Sequence, residues 1–168
     1  MFYFTKDDII FLHSKIIGDF GGTDGIREQG MLEGAIAAPL QTFDGCDLYP
    51  SDIEKIARLS WGLAMDHPFL DGNKRIAAAS LDIGLSANGV ELEAAEEDII
   101  NEFIELASGK IDYAEFLRWV EASSLPKENL GSETQKGTRR EKAIKHIETK
   151  RRTKSQLQGK CGRSLFRF

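Results

Sequence analysis

His67-Pro68-Phe69-Leu70-Asp71-Gly72-Asn73-Lys74-Arg75 is the stretch on which the reading of this chain turns. It sets a proton acceptor, a carboxylate, a glycine, an amide and two adjacent cations side by side. A helical pattern runs from Lys74 and Arg75 through Ile76 to Ser86. A turn that empties into a helix N-terminus aims unpaired backbone N–H groups outward, where the helix dipole favours bound phosphate. Lys74 and Arg75 add charge and forked donors there. Gly72 would let a phosphate approach the backbone with no Cβ in the way. Asp71 is suited to a divalent cation, and His67 to taking a proton from an attacking hydroxyl near neutral pH. Each residue also has a structural alternative: a histidine at a helix end, aspartate or asparagine as a cap, arginine in a surface ion pair.

The flanks predict helices. Ser51 with Glu54 reads as a capping box for a helix over Asp52 to Asp66, whose buried face is Ile56, Leu59, Leu63 and Trp61. Pro68 stops its simple continuation. The next helix runs from Asn73 to Asn88 and stops at Gly89, and its Ala77, Ala78, Ala79 and Gly84 suit a central helix packed on several sides. Thr5 with Asp8 caps a first helix to Phe20, with a stripe of Ile9, Leu12, Ile16 and Phe20. His13 lies one step off that stripe and reads as a surface or boundary residue. Gly21-Gly22 ends this helix, and Thr23-Asp24-Gly25 makes a turn. Further helices are expected over Glu28 to Ala38, ended by Pro39, over Glu96 to Ala107, and from an Asp112 cap to Val120, with Phe116, Leu117 and Val120 inward. Val90 to Ala94 reads as an extended connector. Gln41 to Tyr49 carries Asp44-Gly45, a hairpin turn dipeptide, between Thr42-Phe43 and Leu48-Tyr49, and reads equally as a hairpin or an irregular loop. The expected fold is mainly all-α, about six helices and at most one hairpin.

A chain of 168 residues with 41% apolar residues supports one core. No apolar run approaches a bilayer span, and the early acidic turn at Asp7-Asp8 speaks against a secretory leader, so a cytoplasmic protein is expected. Cys46 and Cys161 lie too far apart for a disulfide framework or metal-ligand spacing. The net charge of −5 conceals 9 basic and 23 acidic residues over Met1 to Leu125, against 13 basic and 4 acidic over Pro126 to Phe168. That contrast divides the chain into a domain over residues 1–124 and a basic tail over 125–168, read as disordered or loosely helical. The tail's other readings are folding back on the acidic domain or contacting nucleic acid. Neither a P-loop nor a protein-kinase signature set is present.

The nine residues resemble the signature of the Fic/Doc family, His-Pro-Phe-x-Asp/Glu-Gly-Asn-Gly/Lys-Arg. All eight specified positions are matched in order, and the resemblance covers roughly Thr5 to Ser124. It implies a bundle of about six helices with a short β-hairpin flap. Thr42, Phe43, Asp44, Gly45, Cys46, Asp47 and Leu48 would form that flap and hold an extended stretch of a target protein by strand addition. It implies that His67 is the general base, that Asp71 holds Mg2+, and that Gly72, Asn73, Lys74 and Arg75 bind the phosphates of ATP. Asn73 would also order the loop. Lysine at 74 is the form seen in the Doc branch, where the AMP-transferring branch has glycine. The resemblance therefore implies transfer of the γ-phosphate to a protein hydroxyl by a toxin with a cognate antitoxin, with elongation factor Tu as the target. The alternative is transfer of AMP to Ser, Thr or Tyr hydroxyls, since Pro68 and Gly72 occur in both branches. A third reading is an inactive binding module. Ser124, Glu128 and Asn129 also fit the loose Ser/Thr-x-x-x-Glu-Gly/Asn inhibitory pattern of some family members, or match it by chance.

Overall fold

The computed structural model describes residues 1–127. The basic segment beyond them, with Glu128 and Asn129 of the inhibitory pattern, lies outside the described residues.

Reciprocal capping boxes open three of the six helices among the described residues. In α1 (Lys6–Phe20) the Thr5 side chain accepts from the Asp8 N–H while Asp8 returns a bond to the Thr5 N–H. The same reciprocal box, Ser51 with Glu54, opens α3 (Asp52–Met65), and Asp112 with Glu115 opens α6 (Tyr113–Ala122). Each satisfies donors that a helix leaves orphaned at its start. Helix α2 spans Gln29–Ala37 and tightens into a 3-10 turn over Ala38–Leu40. Pro39 thus sits at the start of that turn, where its missing N–H costs nothing, and does not end the segment outright.

Helices α3 and α4 (Asn73–Ala87) make the most extensive contact in the molecule. Nearly every residue of α4 from Arg75 to Leu85 is buried, as the small-residue pattern predicts for a helix packed on several sides. A Cβ on Gly84 would lie 2.7 Å from an Ile56 methyl, so the two backbones approach as only glycine permits. Ser60 Oγ donates to the Ala77 carbonyl at 2.8 Å across the same interface, fixing its register. Helix α1 contributes Ile9, Leu12 and Ile16 to the core as its stripe predicts. At its last turn Ile17 is buried in place of Phe20, which is 38% exposed. Helices α5 (Glu96–Ala107) and α6 close the other side through Phe103, Leu106, Phe116 and Val120.

The hairpin forms. β1 (Thr42–Phe43) and β2 (Cys46–Asp47) pair antiparallel through Asp44 (φ 49°) and Gly45 (φ 78°), both left-handed as a primed turn requires. It is exposed throughout, Phe43 at 75%, and Asp47 pairs with Lys55 of α3 at 2.5 Å. A second sheet joins β3 (Val90–Leu92), inside the expected connector, to β4 (Ser124–Pro126), with Leu92 opposite Ser124 and Val90 opposite Pro126. Lys127 N–H extends this contact to the Gly89 carbonyl at 2.8 Å. Ser124 to Lys127, which straddle the division between domain and tail, therefore pair with the segment that follows α4. No described helix is long and apolar enough to cross a membrane.

Candidate active site

The loop between α3 and α4 carries the nine-residue motif, and its backbone is held on three sides. After the Asp66 cap, His67 takes a left-handed conformation (φ 46°), which turns the chain sharply out of α3. Histidine is one of the few non-glycine residues enriched there, and such positions cluster at functional sites. The following residues pair with the segment before α2. Ile26 and Phe69 form an antiparallel bridge, Leu70 N–H donates to the Gly25 carbonyl, and Arg27 and Glu28 both donate to the Pro68 carbonyl. Asn73 supplies the second hold, since its Oδ1 accepts from Phe69 N–H at 2.9 Å and its Nδ2 donates to the Phe69 carbonyl at 3.0 Å. The third is packing. Phe69 is buried and stacks on the His13 ring at a centroid distance of 3.8 Å.

His13 is therefore no surface or boundary residue. It is 1% exposed, its Nε2 lies 2.8 Å from the Asp71 carbonyl and its Nδ1 lies 3.2 Å from Asp24 Oδ1. The stripe places it one step from the core, and the loop folded over it completes the burial.

Gly72 is the N-cap of α4 at φ 74°, ψ 13°, and no side chain caps that helix. The first turn of α4 thus ends without the side-chain acceptor that closes α1, α3 and α6. The structure adds a packing reason for this glycine. A Cβ there would point inward, 3.0 Å from Ile17 Cδ1 and 3.5 Å from His13 Nε2. Left-handed backbone and packing thus both call for glycine at 72.

Asp71 sits at the mouth, its side chain about half exposed at 47%. Its Oδ1 accepts from Gly72 N–H at 2.6 Å and faces Arg75 Nη2 at 3.4 Å, while Oδ2 accepts from Thr23 N–H at 3.4 Å. The Gly72 N–H above all holds its carboxyl below the usual carboxylate range; burial opposes this as the next largest effect, and the Thr23 N–H and the Arg75 guanidinium add to the lowering. Gly22 (φ 123°) presses its backbone against this carboxylate so closely that a Cβ would overlap Oδ2.

Arg75 is buried, and its guanidinium turns into the protein. Nη1 donates to the Gly21 carbonyl at 2.7 Å, and Nε has no hydrogen-bond partner among the described residues. It braces the Gly21 turn to Asp71 from a buried position, where the structural alternative was a surface ion pair. A cleft of about 180 Å³ is lined by His67, Leu70, Asp71, Gly72, Asn73 and Lys74, so the motif converges on one space. Against the roughly 300–1,000 Å³ of small-molecule sites, that is room for the phosphate end of a nucleotide and not for the whole of it. The hairpin residues, Thr42 to Leu48, stand outside the cleft lining.

The donor set bears on the expected magnesium ion. Among the described residues no three His, Cys, Asp or Glu side chains gather to hold a metal. A single ionised carboxylate with spare capacity on Oδ2 nevertheless suits a cation that keeps several waters and takes its other ligands from phosphate oxygens. Asp71 would hold magnesium with a nucleotide, and not as a stand-alone protein site.

Sequence reasoning missed His13 and the Gly21-Gly22-Thr23-Asp24-Gly25 turn as parts of the site. The density of glycines in that turn was the available signal, since close backbone approach commonly demands it.

The chain matches the Fic/DOC family over residues 3–85. It is 38% identical over 105 residues to the Toxin Doc of Mycolicibacterium smegmatis, an alignment that covers 60% of this chain and 78% of that protein.

Proposed function

Since this chain belongs to the Fic/Doc family, in its Doc branch, we propose that it is the toxin of a toxin–antitoxin pair and transfers the γ-phosphate of ATP to a hydroxyl of a target protein. The observation that carries this reading is the convergence of His67, ionised Asp71, Lys74 and the α4 N-terminus, which no side chain caps, on one phosphate-sized cleft. The name of the Mycolicibacterium relative supports the toxin role and a cognate antitoxin. Elongation factor Tu as target rests on the family resemblance.

His67 accepts the proton of the target hydroxyl as its oxygen attacks the γ-phosphorus. The bond from that phosphorus to the bridging oxygen breaks, ADP leaves, and the hydroxyl becomes a phosphate ester. The first-turn N–H groups of α4 and the Lys74 ammonium meet the charge on the transferring group, in a reaction that is mostly positioning and electrostatics. Asp71 would hold Mg2+, which supplies further neutralisation of the phosphate oxygens. Arg75 contributes by bracing Asp71 and the Gly21 carbonyl. Asn73 orders the loop, since both ends of its amide are engaged by Phe69. The exposed hairpin offers the target a strand edge.

Mass spectrometry of a cell lysate incubated with the protein, ATP and magnesium tests the proposal. A phosphate-sized adduct on one abundant protein is expected, absent with His67→Ala. A nucleotide-sized adduct would replace the reading with AMP transfer. No adduct together with unchanged growth inhibition by His67→Ala would leave only a binding module.

A further inference from the structure

We propose that His13 is a positioning residue for the phosphate-facing turn, fixing the Asp71–Gly72 peptide and the Phe69 ring from behind the cleft. The inference rests on the phosphate-transfer reading above. His13 belongs to α1, 58 residues before Asp71, and touches neither the cleft nor any group that reacts. Its ring is enclosed at 1% exposure and lies nearly parallel to Phe69, 8° between planes.

A backbone carbonyl only accepts hydrogen bonds, so the ring nitrogen 2.8 Å from the Asp71 carbonyl, Nε2, bonds it as a donor. The other nitrogen faces Asp24, whose second oxygen accepts from Ser14 Oγ at 2.8 Å. Asp24 and Ser14 thereby set the rotation of the ring about its own bond to the chain. The carbonyl so held belongs to the peptide whose N–H, that of Gly72, donates to Asp71 Oδ1 at 2.6 Å. One peptide plane is therefore fixed at both ends, its carbonyl by His13 and its N–H by the carboxylate. That plane sets the left-handed cap of α4 and the direction of the Asp71 side chain together. With His13 sealed from solvent, water does not replace the lost donor freely, and the peptide would turn to find another.

A histidine that merely fills the core would be replaced without functional loss by any side chain of similar volume. Glutamine and asparagine separate the two cases, because a glutamine amide nitrogen reaches the place of Nε2 and an asparagine nitrogen the place of Nδ1. ATP binding in magnesium, measured by titration calorimetry on the full chain, is compared with thermal melting for His13→Gln, His13→Asn and His13→Leu. His13→Gln should bind within a few-fold of wild type, whereas His13→Asn and His13→Leu should weaken binding by about 10- to 100-fold at temperatures where each remains folded, the scale of losing a partner that orients a ligand group. Should His13→Leu not fold, the Gln and Asn variants, which differ by one methylene, still decide. Equal binding by Gln and Asn variants, or losses that follow melting temperature alone, would overturn the inference. A wild-type chain that binds no ATP would overturn the phosphate-transfer reading itself, and this inference with it.

Discussion

The side-chain amide of Asn73 closes a ring on the backbone of Phe69, accepting from its N–H at 2.9 Å and donating to its carbonyl at 3.0 Å. A residue in the first turn of α4 thereby fixes the residue two places after the proposed base, and the loop cannot shift without breaking both bonds. Asn73→Ala removes both partners from a half-buried backbone. Each such bond is worth about 0.5–1.5 kcal/mol net, so urea unfolding should show a loss of about 1–3 kcal/mol. Transfer activity should fall further than the remaining folded fraction explains.

His67 combines its proposed role as base with an unusual backbone. His67→Ala should leave ATP binding intact and lower transfer by about 10²–10⁴-fold, the usual worth of a general base. His67→Gly should be equally inactive and fold about as well as wild type. Relief of the left-handed conformation is worth roughly 1–2 kcal/mol, and glycine's added chain entropy offsets about 0.5–1 kcal/mol of it. Calorimetric binding beside a rate assay checks the first claim, and thermal melting the second.

Two glycines separate packing from site geometry. Gly84→Ala drives a methyl against Ile56 in the α3–α4 interface and should cost about 1–3 kcal/mol, with nucleotide affinity of the folded protein unchanged. Gly22→Ala meets the Asp71 carboxylate from a backbone at φ 123°. It should cost a comparable 1–3 kcal/mol, roughly the strain of such a backbone, and also weaken magnesium-dependent ATP binding. Denaturation and calorimetry on the two variants test the contrast.

Asp71 gives the site a pH signature. Its carboxyl is held low in the folded chain, first by the Gly72 N–H. A depressed native value stabilises the fold above the unfolded value, about 3.9, and that stabilisation is lost as pH falls through the native value. Asp24 is lowered too, first by Ser14, so the comparison must be with Asp71→Asn and not with wild type alone. The stability difference between wild type and Asp71→Asn should be level from neutral pH to about 5 and shrink in wild type's disfavour below about 4. A difference independent of pH across that range would show that Asp71 is not preferentially ionised in the fold.

What the sequence disclosed and what it hid divide by the range of the interactions. The capping boxes at Thr5 and Ser51, the Asp112 cap and the Asp44-Gly45 turn dipeptide are local, written within four residues, and the structure contains them; it also completes a box from Asp112 to Glu115. The motif was legible because its chemistry is contiguous. The inward turn of Arg75 and the burial of His13 were not, since each depends on residues 54 and 58 positions away that only the packing of α1 beside α4 brings near. The β3–β4 pair escaped notice for a similar reason. Its two three-residue strands carry too little pattern to announce a partner across α5 and α6. For Gly72 the packing reason was hidden: its absent side chain would meet Ile17, far away in sequence.

The central claim is that the cleft delivers the terminal phosphate to a protein hydroxyl. Incubating the protein and a cell lysate with ATP labelled on the γ-phosphate, and in parallel with ATP labelled on the α-phosphate, tests it most directly. Protein-bound label should come from the γ-labelled nucleotide alone, and should disappear with His67→Ala. Protein-bound label from the α-labelled nucleotide would contradict the account and assign the chain to AMP transfer.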